Sequence, residues 1–352
     1  MVDARIKGAT YGFAYGDSWG NQAEFQSHAQ NIDEHAEFPQ LAEVTDDTQM
    51  SLYTLYAIMF EVENAPETVT ALHKDEDKRN YIRRAFAESY LEFAKDPDNN
   101  RAPGMTCMNA LSSYNQLKMH ENYREEPLKG NEGCHDNSKG CGANMRVGWL
   151  GLLPLPQEDI VNLSILQSET THGHPLALSS SVLTALTVKA IFEKEIISGS
   201  GTYLDWTESK TRELADELDL KGSDAPGSWS ASYREGLTEL LKFIDTIRNN
   251  IPAFLQSGPN DDICEFFGGG WVAEEAYING LLAADYLSDN PVEAVRRLVY
   301  TSGDSDSIAA FGGMFIGTEK GFDVYPAEWE AHLENRYTEE LTEVTEFLNR
   351  VN

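Results

Sequence analysis

The sequence predicts an all-α protein, one compact domain of roughly a dozen helices covering residues 1–352. Two observations carry that expectation. Apolar residues recur at steps of three and four with charged residues between them, and alternating Val/Ile/Thr-rich runs of strand type are scarce.

The elements follow in chain order. Ile82, Phe86, Tyr90 and Phe93 are spaced four, four and three apart and line one helix face. Pro175 stands just before a helical pattern through Leu183, Leu186 and Ala190, which suits a first helical turn. Leu237, Leu240, Ile244 and Ile247 mark a third face, and Leu341, Val344, Leu348 and Val351 a fourth. Polar, Gly/Pro-rich stretches separate such patterns near Asp96–Gly104, Glu121–Gly142, Gly199–Thr202, Lys221–Ser228 and Ser257–Asp262. None reads as a flexible interdomain linker, and no internal repeat is visible.

Charge narrows the function classes. There are 58 Asp and Glu against 27 Lys and Arg, a formal net charge of -31. Such a surface repels a phosphate backbone, which argues against nonspecific nucleic-acid binding. Cys107, Cys134, Cys141 and Cys264 are irregularly spaced and do not read as a disulfide framework. No apolar run reads as long enough to span a bilayer, and Met1 to Tyr15 lacks the layout of a signal peptide. The expectation is a cytoplasmic protein with reduced thiols and no membrane partner.

Four segments interrupt the periodic pattern. They are Gly16-Asp17-Ser18-Trp19-Gly20-Asn21-Gln22-Ala23-Glu24, Thr45-Asp46-Asp47-Thr48, Asn137-Ser138-Lys139-Gly140-Cys141-Gly142 running into Met145-Arg146, and Ser302-Gly303-Asp304-Ser305-Asp306-Ser307. The second and fourth cluster carboxylates beside hydroxyls at a helix entry. Adjacent carboxylates repel unless a cation lies between them. Oxygen-only donors suit hard ions such as Mg²⁺ or Mn²⁺. Taken alone, each segment also reads as a helix cap with acids in the first turn, and for Thr45–Thr48 the cap is the first reading.

Together the motifs resemble the ADP-ribosylglycohydrolase family. Gly16, Asp17, Gly20 and Glu24 match its opening segment, and Thr45–Thr48 its Thr-Asp-Asp-Thr segment. Arg101–Gly104 matches an Arg-Ala-Pro-Gly segment. Ser138, Gly140, Gly142, Met145 and Arg146 match its glycine-rich loop, and Thr171 and His172 a Thr-His pair. Gly303, Asp304, Asp306 and Ser307 match its closing segment. The matches lie in family order from Gly16 to about Gly317.

The resemblance implies an orthogonal helical bundle with a binuclear Mg²⁺ or Mn²⁺ centre. Thr45, Asp46 and Asp47 would hold one ion, and Asp304 and Ser307 the other, with Asp306 bridging. Glu24 would stand at the mouth on a loop that can move. Ser138, Gly140, Cys141 and Gly142 would bind diphosphate and the adjoining ribose, with His172 lining the pocket. Cys141 falls where many members carry Asn, and Ser307 where many carry Thr. The implied reaction removes ADP-ribose from a protein or other conjugate by cleaving the N- or O-glycosidic bond at the distal ribose. Glu24, Asp46 and Asp47 are the candidate catalytic carboxylates, and ADP-ribose is the product.

Other residues are weighed beside these. Trp271 is a candidate for stacking on adenine, though for it and Tyr277 a core position is the plainer reading. Cys134-His135 near Cys141 fits no common zinc spacing. Asp17 either shapes the first helix end or hydrogen-bonds the metal ligands from behind, and Arg101–Gly104 reads as a turn. Glu339 to Glu346 reads as a solvated helix face. Two competing functions stand: an inactive ADP-ribose-binding or structural family member, and a binuclear phosphatase. The intact acidic residues argue against the first, and the scarcity of strands against the common folds of the second.

Overall fold

The computed structural model describes residues 3–124, 126–221 and 229–352. These form sixteen α-helices and no strand, with only isolated bridge pairs such as Gly140–Val272. In order the helices are α1 Ala4–Asn21, α2 His28–Glu34, α3 Asp46–Tyr56, α4 Met59–Asn64, α5 Glu76–Lys95, α6 Met105–Lys118, α7 Gln157–Ser168 and α8 Pro175–Phe192. There follow α9 Thr202–Lys221, α10 Trp229–Phe254, α11 Cys264–Phe267, α12 Ala273–Tyr286, α13 Pro291–Val299, α14 Ser305–Lys320, α15 Trp329–His332 and α16 Asn335–Val351. The expected loops separate them, except that Lys221 closes α9 and 222–228 lie outside the described residues.

A stripe of small residues sets the centre of the fold. Gly8, Gly12, Gly16 and Gly20 recur every four residues on α1 and so share one face. Ser305, Ala309, Gly313 and Gly317 do the same on α14 and meet them in reverse order. The backbones touch. A Cβ at Gly16 would lie 2.0 Å from the Ala309 carbonyl oxygen, and one at Gly313 2.0 Å from that of Gly12. Only glycine permits so close an approach. Because the pair is antiparallel, the end of α1 is brought against the start of α14, and Ser305 Oγ donates to the Gly20 carbonyl at 2.9 Å.

Helix α8 runs through the core and packs on α7, α10 and α12. Pro175 holds its first turn, and the His174 side chain caps it by accepting from the Leu176 N–H. The sequence reading that no apolar run is long enough for a bilayer is corrected here. Pro175–Phe192 has the length and hydropathy to cross one, but 83% of it is buried among other helices, as in a core helix. The predicted faces pack as expected: Ile82, Phe86, Tyr90, Phe93, Leu237, Leu240, Ile244, Ile247, Leu341, Val344 and Leu348 are buried, with Val351 partly exposed at the chain end. Glu339, Glu343 and Glu346 face outward.

Candidate active site

Asp17 is built into the bundle before any chemistry begins. It lies on the buried side of α1 and receives the start of α3. Its carboxylate accepts from the Thr45 N–H and hydroxyl at 3.0 and 2.7 Å, from the Thr48 N–H at 3.1 Å, and from the Thr48 hydroxyl. Thr45 in turn caps the helix by accepting from the Asp47 N–H. The hydroxyls of Thr45 and Thr48 are thus turned inward, which directs the intervening Asp46 and Asp47 outward to a cleft of about 430 Å³.

Five carboxylates reach that cleft. Asp46 and Asp47 come from α3, Glu24 from the turn after α1, and Asp304 and Asp306 from the entry to α14. Oxygens of Glu24, Asp304 and Asp306 lie within 4.8 Å of one another. The Asp304 N–H is anchored on the Gly269 carbonyl at 2.8 Å, and Asp306 accepts from the Ser307 N–H at 2.9 Å. Burial pushes Asp46, Asp47 and Asp304 well above the ordinary carboxylate range, and the charge of Asp306 adds to it. Burial, then Asp306, Asp46 and Asp17, push Glu24 up to about 9. Burial and Asp306 likewise bring Asp17 up to about 7 against its Thr donors.

The donor set fits a hard divalent cation. It is all oxygen, and Asp47 Oδ2 is buried without a hydrogen-bond partner. A cation among these acids would satisfy that oxygen and remove the mutual repulsion.

Two walls flank the acids. On one side Ala102, Pro103 and Gly104 line the cleft, and the Gly104 N–H holds Asp46 Oδ2 at 3.1 Å. Ala102 sits at φ +54, an uncommon backbone for a residue with a Cβ, which marks a constrained turn. Arg101 faces away from the cleft and forks onto Glu334 while donating to the Val44 carbonyl. On the other side Gly140–Gly142 is pinned to the entry of α12, with the Cys141 N–H on the Trp271 carbonyl and the Ala273 N–H on that of Lys139. His172 lies beneath this loop, so close that a Cβ at Gly142 would stand 3.1 Å from its ring. At the mouth, Trp271 stacks on Phe25 with ring centroids 5.6 Å apart.

The profile of the ADP-ribosylglycohydrolase family matches residues 2–352. The chain belongs to the ADP-ribosylglycohydrolase family. It is 24% identical to ADP-ribosylhydrolase ARH1 of Dictyostelium discoideum over 91% of this chain and 88% of that one. It is 23% identical to ADP-ribosylhydrolase ARH3 of Gallus gallus over 82% of this chain and 73% of that one. Among solved structures, one titled ADP-ribosylglycohydrolase-related protein complex superposes with a TM-score of 0.58 at 19% identity, covering 99% of this chain and 97% of that one. The all-α ADP-ribosylglycohydrolase fold expected from the sequence is therefore the one observed, and the family's activity is ADP-ribose hydrolysis.

Against that ADP-ribosylglycohydrolase frame, Glu24, Asp46, Asp47, Asp304, Asp306, Ser307, Gly140, Cys141, Gly142, His172 and Trp271 all line one cleft. Thr45 and Ser138 do not line it. Thr45 is buried behind Asp46 with its hydroxyl on Asp17, and Ser138 Oγ pairs with Thr106 Oγ1 at 3.2 Å. Asp17 touches Thr45 and Thr48 rather than the cleft acids. Tyr277 is a core residue whose hydroxyl meets Thr187 and Thr207, each at 2.8 Å, and His174 is a helix cap. Trp271 is 46% exposed, so the plainer core reading is wrong for it. The sequence reading missed Phe25 and Met105 on the rim and the Gly104 N–H on Asp46. Phe25 directly follows Glu24 and is 74% exposed, but a lone Phe beside a polar loop carries no signal of that in sequence.

Proposed function

We propose that this chain hydrolyses the glycosidic bond between the distal ribose of an ADP-ribosyl group and its target, with the help of two Mg²⁺ or Mn²⁺ ions. The observation that supports it most is the convergence of five carboxylates from three separate elements on one cleft, with Asp47 Oδ2 left free. Asp46, Asp47, Asp304, Asp306 and Ser307 are the residues that would hold the ions, with Thr45 behind them. When bound, divalent ions in such a cleft orient the ribose hydroxyls and acidify a water.

The chain's own groups supply the rest. Breaking the bond at the anomeric carbon develops positive charge on the sugar, which the acid-lined floor favours. The Gly104 N–H fixes Asp46, and Asp46 or Asp47 accepts the proton of the attacking water through a carboxylate oxygen not engaged by an ion. Glu24, on the turn after α1 and lining the same cleft, is the group placed to give a proton to the leaving group. The diphosphate rests against the Gly140–Gly142 loop, with the Gly140 and Gly142 N–H groups as its donors, since that of Cys141 is taken by the Trp271 carbonyl. Trp271, exposed at the rim, takes the adenine face.

The test is release of ADP-ribose from arginine-, serine- and nucleic-acid-linked substrates with Mg²⁺, Mn²⁺ or a chelator. Release that needs the ion supports the proposal. Binding of ADP-ribose without release from any substrate leaves an ADP-ribose-binding protein, and hydrolysis of simple phosphate esters instead makes it a phosphatase.

A further inference from the structure

The Met145-Arg146 pair of the family pattern has no part in the chemistry above, yet Arg146 is completely buried. No carboxylate pairs with it among the described residues. Its Nε donates to Gln167 Oε1 at 2.7 Å. Its Nη2 is surrounded by the Gln167 carbonyl, Thr170 Oγ1 and Thr171 Oγ1 at 2.9, 3.1 and 2.9 Å. The guanidinium also lies over the Tyr90 ring, 4.1 Å from its centroid. A buried charge held only by neutral acceptors is costly, and the hydrogen bonds it makes fix those acceptors in place.

What it orders is His172. Thr171 Oγ1 lies 2.8 Å from His172 Nδ1. We propose that Arg146 and Thr171 are positioning residues that fix His172 as a neutral imidazole with its proton on Nε2, so that it offers one N–H donor to a ligand oxygen beside the Gly140–Gly142 loop.

The protons account for this. A threonine hydroxyl has one hydrogen and two lone pairs. Arginine only donates, so Arg146 Nη2 takes one lone pair of Thr171 Oγ1. The hydroxyl hydrogen goes to His172 Nδ1, 2.8 Å away and a far better acceptor than the buried Cys107 thiol nearby. An imidazole that accepts at Nδ1 carries its proton at Nε2. Burial first, then the charges of Arg146 and His135, lower the His172 pKa to about 3, so no second proton is taken up near neutrality.

Nε2 is the nitrogen on the cleft side, within 3.4 Å of where a Cβ on Gly140 would stand. In this tautomer it has no lone pair for a cation, so His172 serves the ligand's oxygens and leaves the ions to the carboxylates. The ligand's identity rests on the ADP-ribose reading of the cleft; the tautomer does not.

The test uses the full chain labelled with ¹⁵N-histidine. Two-dimensional spectra assign His172 by its loss in His172→Gln. The expected result is a protonated, pyrrole-type Nε2 and a bare, pyridine-type Nδ1. Thr171→Val, which deletes the hydroxyl while keeping the shape, moves the pattern toward the other tautomer, and Thr171→Ser restores it. Arg146 is not substituted, because its burial makes misfolding the expected result.

ADP-ribose binding by calorimetry is the second readout. Thr171→Val weakens it roughly tenfold, the worth of one hydrogen bond to a charged oxygen, and Thr171→Ser returns it. A wild-type spectrum with the proton on Nδ1 overturns the proposal. So does Thr171→Val with an unchanged tautomer, whatever its affinity. A Thr-dependent Nε2 proton in a protein with no affinity for ADP-ribose upholds the positioning and overturns the ADP-ribose reading instead.

Discussion

Substituting Gly20 by alanine should disable the cleft while barely touching the fold. A Cβ there would lie 2.3 Å from the Ser305 carbonyl oxygen and 2.5 Å from the Asp306 N and Cα. That is about 1 Å short of ordinary van der Waals contact, and the obstacle is backbone, so the start of α14 must move by about that much. Overpacking of this kind costs about 1–3 kcal/mol, offset by up to ~1 kcal/mol from alanine's better helix propensity. With an unfolding entropy of about 2.1 cal/mol/K per residue, a net 1–2 kcal/mol lowers Tm by only about 1–3 °C. The same 1 Å at Asp306 misplaces a central cleft carboxylate, and a displacement of that size costs roughly 10²-fold in rate.

Gly8→Ala is the matched control. Its Cβ meets the Gly317 carbonyl at 2.2 Å, an equal clash at the far end of the same helix pair. The assay is ADP-ribose release with Mg²⁺ or Mn²⁺, read beside calorimetric melting and Mn²⁺ titration. Gly20→Ala should lose about two orders of magnitude in activity and bind Mn²⁺ more weakly, while Gly8→Ala matches its Tm and keeps most activity. Equal activity losses in the two variants, or wild-type ion affinity in Gly20→Ala, would refute the reasoning.

Three further outcomes are expected. Mn²⁺ or Mg²⁺ at about 100 times its Kd should stabilise the protein by about 2.7 kcal/mol for each ion bound, reversed by chelator, with a melting scan as the check. Asp47→Asn should raise the Tm of ion-free protein, since it removes one of several buried acids that raise one another's proton affinity; with ions present the same variant, like Asp304→Ala, should lose most activity and ion-induced stabilisation. Arg336 pairs with Asp96 and holds its carboxyl well below the usual range. That stabilisation is complete above the unfolded carboxyl value near 3.9 and is lost as pH falls below it. Arg336→Gln should therefore flatten the acid limb of a stability-against-pH curve without changing activity at neutral pH.

Helical character was fully legible in the sequence. Residues such as Ile82, Phe86, Tyr90 and Phe93 carry the period of the helix in their spacing, and a solvent-facing helix has only one way to hide such a stripe. The acids of the cleft were legible too, because clustered carboxylates at a helix entry are costly without a purpose. The direction each side chain takes was not. Thr45 and Asp47 are two positions apart and equally polar, yet one faces Asp17 and the other the cleft. That choice belongs to Asp17, 28 residues away in the chain. Trp271 and Tyr277 illustrate the same limit, as two aromatics on one helix entry that end at the rim and in the core.

Sequence by itself thus determined the repeating local pattern, since that depends only on neighbours along the chain, and it determined which residues have the chemistry to hold a cation. Tertiary structure alone decided that residues 24, 47 and 304 share one cleft. That meeting depends on two glycine-lined helices packing backbone to backbone in opposite directions, an event between segments almost three hundred residues apart that no local preference encodes.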